Sequence, residues 1–165
     1  MPMSFDVAGL ELYLLGETRA DLAGSQWAYL HNERGGQAPL ANLKNEMSLI
    51  DLLLESQSLC SARHDVSQGG LTATLTEMVL ENNIGATITL EGDLATALLS
   101  ETPGRVVVAV HKENAPALLA LATKDKITVT KIGETGGESL TINDVVMDLT
   151  ELRAAFMETF PKLFG

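Results

Sequence analysis

The run at residues 105–110 constrains the fold more than any other part of this 165-residue sequence. Arg105 is followed by Val-Val-Val-Ala-Val, and Pro103-Gly104 stands before it. β-Branched side chains favour strands, and a strand without alternating polar residues is covered on both faces of its sheet. We therefore expect a central strand with further layers on both sides.

Strand and helix patterns alternate along the rest of the chain. Further strands are predicted at 10–15, 87–90, 127–132, 140–142 and 145–149. Helices are predicted after a Ser25 cap, from an Asn42 cap through residue 59, at 69–83, at 114–122, and from a Thr150 cap to Pro161, with Leu152, Phe156 and Phe160 on the last one. Residues 133–137 are interpreted as a hairpin loop, and Asn143-Asp144 as a tight turn. Because that closing hairpin cannot be parallel, we expect an α+β domain, a three-layer α/β/α arrangement with a mixed β-sheet, over residues 1–165.

Composition excludes several classes of function. Eleven Lys and Arg against 22 Asp and Glu give a net charge of −11, which disfavours binding to nucleic acid and to an anionic membrane. The single cysteine, Cys60, permits no internal disulfide and no multi-thiolate zinc site, and it is predicted on the long helix as a small core residue. With no targeting segment and no apolar stretch of spanning length, a cytoplasmic protein is expected.

The long helix after Asn42 is apolar over a wide face. Leu43, Met47 and Ile50 recur at helical spacing, and Leu49, Leu52 and Leu53 broaden the face. We expect this helix to be sandwiched, and part of its face to form a contact with another domain.

The densest polar constellation lies at residues 62–71. Backbone N–H groups at a helix start bind anions, and Gly69 and Gly70 let a ligand approach the main chain, so a phosphate site is one interpretation. Ser67 would then donate a hydroxyl hydrogen bond, His64 and Arg63 would bring positive charge to the same side, and Asp65 would orient His64 or hold a metal. The alternative is structural: Asp65 or Ser67 caps the helix and the glycines allow close packing.

Other polar groups carry weaker signals. Glu101 and Arg105 flank Thr102-Pro103-Gly104, and either a surface ion pair across that turn or a constraint on the turn is expected. His31 and His111 lack neighbours at metal-ligand spacing, so no metal site is predicted. No catalytic residue is assigned within the chain.

Four segments together resemble one enzyme family. His64-Asp65-Val66-Ser67-Gln68-Gly69-Gly70-Leu71, Leu15-Gly16-Glu17-Thr18, Gly24-Ser25-Gln26 and Glu101-Thr102-Pro103-Gly104-Arg105 are similar, in order and spacing, to segments of the last domain of the phosphoribosylformylglycinamidine synthase family. The resemblance covers essentially the whole chain. The family's usual residue at position 68 is acidic, so Gln68 departs from its pattern and puts any charged role there in doubt.

The resemblance implies a fold and a function. The fold is that of the C-terminal domain of aminoimidazole ribonucleotide (AIR) synthetase. The reaction is the ATP-dependent amidation of formylglycinamide ribonucleotide (FGAR) by glutamine-derived ammonia, a step of purine biosynthesis. His64, Asp65, Ser67, Gly69 and Gly70 are the expected substrate- or phosphate-binding residues.

The resemblance also implies what lies outside the chain. ATP and Mg²⁺ are expected mainly on the upstream domains of a longer polypeptide, which also carry the catalytic histidine. Since no glutaminase domain follows residue 165, a separate glutaminase subunit and a small bridging subunit are the expected partners. The alternatives are the equivalent domain of AIR synthetase, of selenophosphate synthetase or of another related ATP-using enzyme, or a non-catalytic assembly domain.

Overall fold

A computed structural model describes residues 2–157 as six helices packed on a seven-stranded sheet. The strands are β1 (Glu11–Leu15), β2 (Cys60–Asp65), β3 (Ala86–Ile88), β4 (Val106–Val110), β5 (Val129–Thr135), β6 (Ser139–Ile142) and β7 (Val145–Asp148). The helices are α1 (Gln26–Leu30), α2 (Leu43–Glu55), α3 (Gly70–Leu80), α4 (Leu94–Leu99), α5 (Ala115–Asp125) and α6 (Leu149–Met157).

The sheet is mixed, as the sequence predicts. Its strand order is β2-β4-β1-β5-β3-β6-β7, and every neighbouring pair is antiparallel except β3 with β6. All five residues of β4 are buried, with Val107 and Ala109 on one face and Val106, Val108 and Val110 on the other. The prediction that this strand is covered on both faces is therefore confirmed, although β4 lies next to the edge strand β2 and not at the centre of the sheet.

Helices cover both faces and create two cores. On one face α3 packs against β1 and β4 through Leu71, Leu75 and Met78, joined by side chains of α4 and α6. On the other face α2 and α5 pack against the same strands through Leu49, Leu52 and Leu118. The expected three-layer α+β architecture is confirmed.

Two elements do not follow from the sequence patterns. The predicted long helix ends at Glu55, where the hydroxyl of Ser56 donates to the Leu52 carbonyl. Residues 56–59 then form a turn that leads into β2, a strand that the sequence patterns do not predict. Cys60 is therefore the first residue of a strand and not part of a helix, although its burial is as expected and raises the pKa of its thiol. Helix α4, begun by the Asp93 cap, is too short for its periodicity to be recognised.

Two boundaries near the C-terminus also differ. β5 continues to Thr135, and β3 lies between β5 and β6, so residues 133–137 do not form a hairpin loop. The predicted β6–β7 hairpin is confirmed, with Asn143 at a φ of 50°. The cap of α6 is Asp148, whose carboxylate accepts the N–H of Thr150, and not Thr150 itself. Phe160 and Pro161 lie outside the described residues.

Candidate functional site

The four family-like segments meet at one edge of the sheet. β1 ends, β2 ends, and β4 and β5 begin at this edge, because Leu15 pairs with both Val106 and Val129 and Asp65 pairs with Val106. Residues 16–18, 65–70 and 101–105 therefore form neighbouring loops, and α1 begins beside them. We call this region the motif edge.

Glu101 connects two of these segments. Its Oε1 atom accepts the N–H of Gln26, at 2.7 Å, and the N–H of Gly69, at 2.8 Å. The side chains of Gln26 and Gln68 complete the contact with a hydrogen bond of 2.8 Å. The carboxylate thus ties the start of α1 to the start of α3, and the predicted ion pair between Glu101 and Arg105 is wrong.

Arg105 is a buried brace and not a surface charge. Its side chain is 2% exposed and donates to the carbonyls of Ser100 and Thr102 and to the hydroxyl of Thr18. Burial lowers the pKa of its guanidinium to about 10, so the group remains charged at neutral pH. Its hydrogen bonds hold the 16–18 and 100–105 loops together, so the guanidinium group is bonded to the protein itself.

Gly16, directly after β1, lies very close to the backbone of Gly104. Its φ is +95°, and a Cβ there would lie 2.1 Å from the Gly104 carbonyl oxygen. Only a residue without a side chain allows this close approach of the two loops.

His64 lies apart from the other predicted ligands. It is a residue of β2, not of a loop, and its Nε2 lies 2.7 Å from Oε2 of Glu77 on α3 while Nδ1 donates to the Asp65 carbonyl. Arg63 donates instead to the Leu53 carbonyl on α2, on the opposite face. Successive strand residues point to opposite faces, so the expectation that His64 and Arg63 bring charge to one side is wrong.

The N–H groups predicted to receive an anion are engaged internally. Gly69 N–H donates to Glu101, and Gly70 N–H donates to the Ser67 carbonyl at 3.0 Å. A Cβ at Gly70 would lie 2.5 Å from the Leu98 carbonyl oxygen, so this glycine permits close packing between α3 and the end of α4. The expected close packing at the glycines is therefore confirmed, but the expected cap by Asp65 or Ser67 is wrong, because the N-cap of α3 is Gly69 and no side chain caps it.

Asp65, Ser67 and Gln68 line an open groove of about 500 Å³ beside α2. Residues of α2 and of the 101–106 segment also line the groove. Glu46, Asp65 and Glu101 make the groove acidic, and Arg105 is the only cationic residue among the described residues that line it. The groove therefore offers a hydroxyl and an amide to a ligand, but no free positive charge.

A second cavity of about 570 Å³ lies on the other side of the motif edge. Gly16, Glu17 and Thr18 border it, together with Thr128 and Thr130 of the β5 region. The motif edge thus borders both cavities. Residues 16–18, which follow β1, line the second cavity, and residues 65–68 line the groove beside α2.

Two further kinds of feature bear on function, a cluster of metal ligands and a membrane-spanning helix. Within residues 2–157 no cluster of three or more His, Cys, Asp or Glu side chains can hold a metal ion. Likewise, none of the helices in that part of the chain has the length and apolarity needed to cross a bilayer.

Comparisons with known proteins agree on one family. The model of the family described as AIR synthase related protein, C-terminal domain, matches residues 7–144. The phosphoribosylformylglycinamidine synthase subunit PurL of a Nocardioides species is 38% identical over 166 residues, which is 99% of this chain and 22% of that protein. The corresponding Thermobifida fusca subunit is also 38% identical, over 93% of this chain and 21% of its own length.

Solved structures share the fold. Thermotoga maritima PurL complexed with FGAR superposes with a TM-score of 0.76 at 18% identity, covering 92% of this chain and 29% of that one. The chain spans about a fifth of the length of the curated relatives it matches. The family model covers most of the described residues, including β1 to β6 and the whole motif edge. The chain therefore belongs to the AIR synthase related protein family and forms its C-terminal domain.

Proposed function

We propose that this chain is the C-terminal domain of a phosphoribosylformylglycinamidine synthase, the ligase that converts FGAR and glutamine-derived ammonia to the amidine at the expense of ATP. The observation that carries the proposal is the alignment of nearly the whole chain with PurL subunits, together with the meeting of the four family-like segments at one edge. In this proposal residues 1–165 are one domain of a longer cytoplasmic chain.

The motif edge supplies one wall of the substrate cleft. Ser67 and Gln68 are exposed on the groove and are suited to donate hydrogen bonds to phosphate or ribose oxygens of FGAR. Asp65 lines the same groove, whereas Gly69 and Gly70 shape the loop, and His64 supports β2 from the α3 side. Glu101 and Arg105 fix the loops that present Ser67 and Gln68, which is a positioning role.

ATP and Mg²⁺ belong mainly outside this domain. T. maritima PurL has been solved in complex with ATP. The described residues of the present chain offer neither a carboxylate cluster for a metal nor a free cation in the groove. We therefore assign no phosphoryl-transfer step to this chain's own residues.

The same relatives support a proposal for the partners. A structure of T. maritima PurLQS represents an assembly that contains PurL. For the present chain we propose upstream domains of the same polypeptide, a separate glutaminase subunit and a small bridging subunit.

A chimera tests the function. The region of Nocardioides PurL that this chain matches is exchanged for residues 1–165, and product formation is measured with FGAR, ATP and ammonium. We expect ATP-dependent turnover by the chimera and none by the 165-residue chain alone. A folded chimera that binds ATP but gives no amidine would refute the proposal, and so would turnover by the isolated chain.

A further inference from the structure

The outer face of α2 carries an apolar row that the described fold leaves uncovered. Leu43, Met47, Ile50 and Leu54 are 75%, 67%, 54% and 66% exposed, whereas Leu49 and Leu52 on the inner face are buried. We call these four exposed residues the α2 stripe. A sandwiched helix is expected from the sequence, but within residues 2–157 only the inner face of α2 is covered.

The spacing of the α2 stripe indicates the shape of what covers it. The four residues are separated by four, three and four positions, which is the a/d pattern of a helix that packs lengthwise against another helix. Single exposed apolar residues are common on protein surfaces, but a contiguous row over three turns marks an interaction site.

Charge indicates the chemistry of the partner helix. Glu46 and Asp51 flank the α2 stripe, with Lys44 as the only basic residue on α2. Glu46 and Ile50 also line the acidic groove at the motif edge, which places Asp65 and Glu101 on the same side. A second copy of this chain would bring the same carboxylates against one another, so like charges disfavour a homodimer.

We propose that the α2 stripe is the docking surface for a helix that has an apolar seam flanked by lysine or arginine and that lies in the remainder of the synthase polypeptide. The assignment of this helix to the remainder of the polypeptide rests on the proposed function, since PurL relatives are several times longer than this chain. A basic flank would also bring a second cationic group to the groove, where Arg105, the only cation among the described lining residues, is bonded to Ser100, Thr102 and Thr18.

Hydroxyl-radical footprinting of Met47 tests the docking, because methionine oxidation follows exposure. Met47 is compared in the isolated chain and in the Nocardioides chimera, with Met157, which is similarly exposed on α6, as the internal reference. We expect the oxidation rate of Met47 to fall by about fivefold or more in the chimera, as a two-thirds exposed side chain becomes buried. Equal oxidation in both proteins overturns the proposal.

Charge reversal tests the basic flank. The chimera carrying Glu46→Lys and Asp51→Lys is expected to lose at least half of the protection of Met47, whereas Asp144→Lys in the β6–β7 turn leaves it unchanged. Protection that is insensitive to the double reversal overturns the basic partner. If Met47 of the isolated chain becomes more protected as the concentration rises, and sedimentation shows a dimer, the occupant is a second copy of this chain and the proposed partner helix is overturned.

The two proposals fail in different ways. Turnover by a chimera with an unprotected Met47 overturns the docking and leaves the proposed function standing. Protection of Met47 without turnover overturns the proposed function and leaves the docking standing.

If the chimera does not fold, residues 1–165 are mixed with Nocardioides PurL lacking the matched region. Protection of Met47 that Ile50→Asp abolishes then supports the docking, and absence of association overturns it.

Discussion

Gly70→Ala separates the structural role of the glycine pair from an anion-binding role. Gly70 has a φ of +64°, and an added Cβ would lie 2.5 Å from the carbonyl oxygen of Leu98 and 2.8 Å from that of Ser100. Both atoms are backbone, so relief requires α3 to move away from the end of α4. Gly24 is the matched control, since its φ is +73° and nothing lies within 4 Å of an added Cβ.

The structure sets the expected magnitudes. Left-handed backbone costs a non-glycine residue about 1–2 kcal/mol, which both variants share. Overpacking adds about 1–3 kcal/mol at Gly70 alone, so Gly70→Ala is expected to lose about 2–5 kcal/mol and Gly24→Ala about 1–2 kcal/mol.

Urea unfolding followed by circular dichroism measures both free energies of unfolding. At this chain length the additional loss at Gly70 corresponds to roughly 2–12 °C in Tm. Equal losses for the two variants would refute the close-packing argument. A bulkier residue at Gly70 is expected to perturb the fold itself, so Ser67 is the better position for testing ligand contacts.

Three further results are expected. Arg105→Met leaves the carbonyls of Ser100 and Thr102 without their donor and should reduce the free energy of unfolding by about 2–6 kcal/mol in urea titrations. Arg19→Met, at an exposed position, should cost under about 1 kcal/mol. Similar losses for the two variants would contradict the bracing role of Arg105. Hydrogen bonds from Lys131 and Tyr13 lower the pKa of the Glu11 carboxyl, so their contribution to stability is complete above the ordinary glutamate pKa and is lost as the pH falls through the lowered value. Lys131→Met should therefore raise that pKa in a carbon-13 NMR titration, and an unchanged pKa would exclude Lys131 as the main cause. Ser67→Ala in the chimera should weaken FGAR binding by about fivefold in calorimetry, as for one neutral hydrogen bond of about 1 kcal/mol, and an unchanged affinity would remove Ser67 from the site.

Local patterns predict much of this fold. The continuous apolar run predicts β4, the Asn42 cap and helical spacing predict α2, and Asn143-Asp144 predicts the closing hairpin, because each signal lies within one short segment. β2 is missed because its sequence, Cys-Ser-Ala-Arg-His-Asp, is mostly polar and becomes a strand by pairing with β4.

The candidate site depends on contacts that no local pattern contains. Glu101 accepts hydrogen bonds from Gln26 and Gly69, which lie 75 and 32 positions away in the sequence. Arg105 is buried because the 16–18 and 100–105 loops meet around it. The resemblance identifies these residues as a set, but only the tertiary structure separates the groove residues Ser67 and Gln68 from His64 on the far side of β2.

Hydrogen–deuterium exchange on the chimera, with and without FGAR, tests most directly whether the motif edge is a substrate-facing wall. Calorimetry first establishes that FGAR binds. A substrate-facing motif edge predicts slower exchange in residues 65–70 and 101–105 on binding, and no change in the β6–β7 hairpin at the other side of the sheet. Unchanged exchange at the motif edge in the FGAR-bound chimera would contradict it.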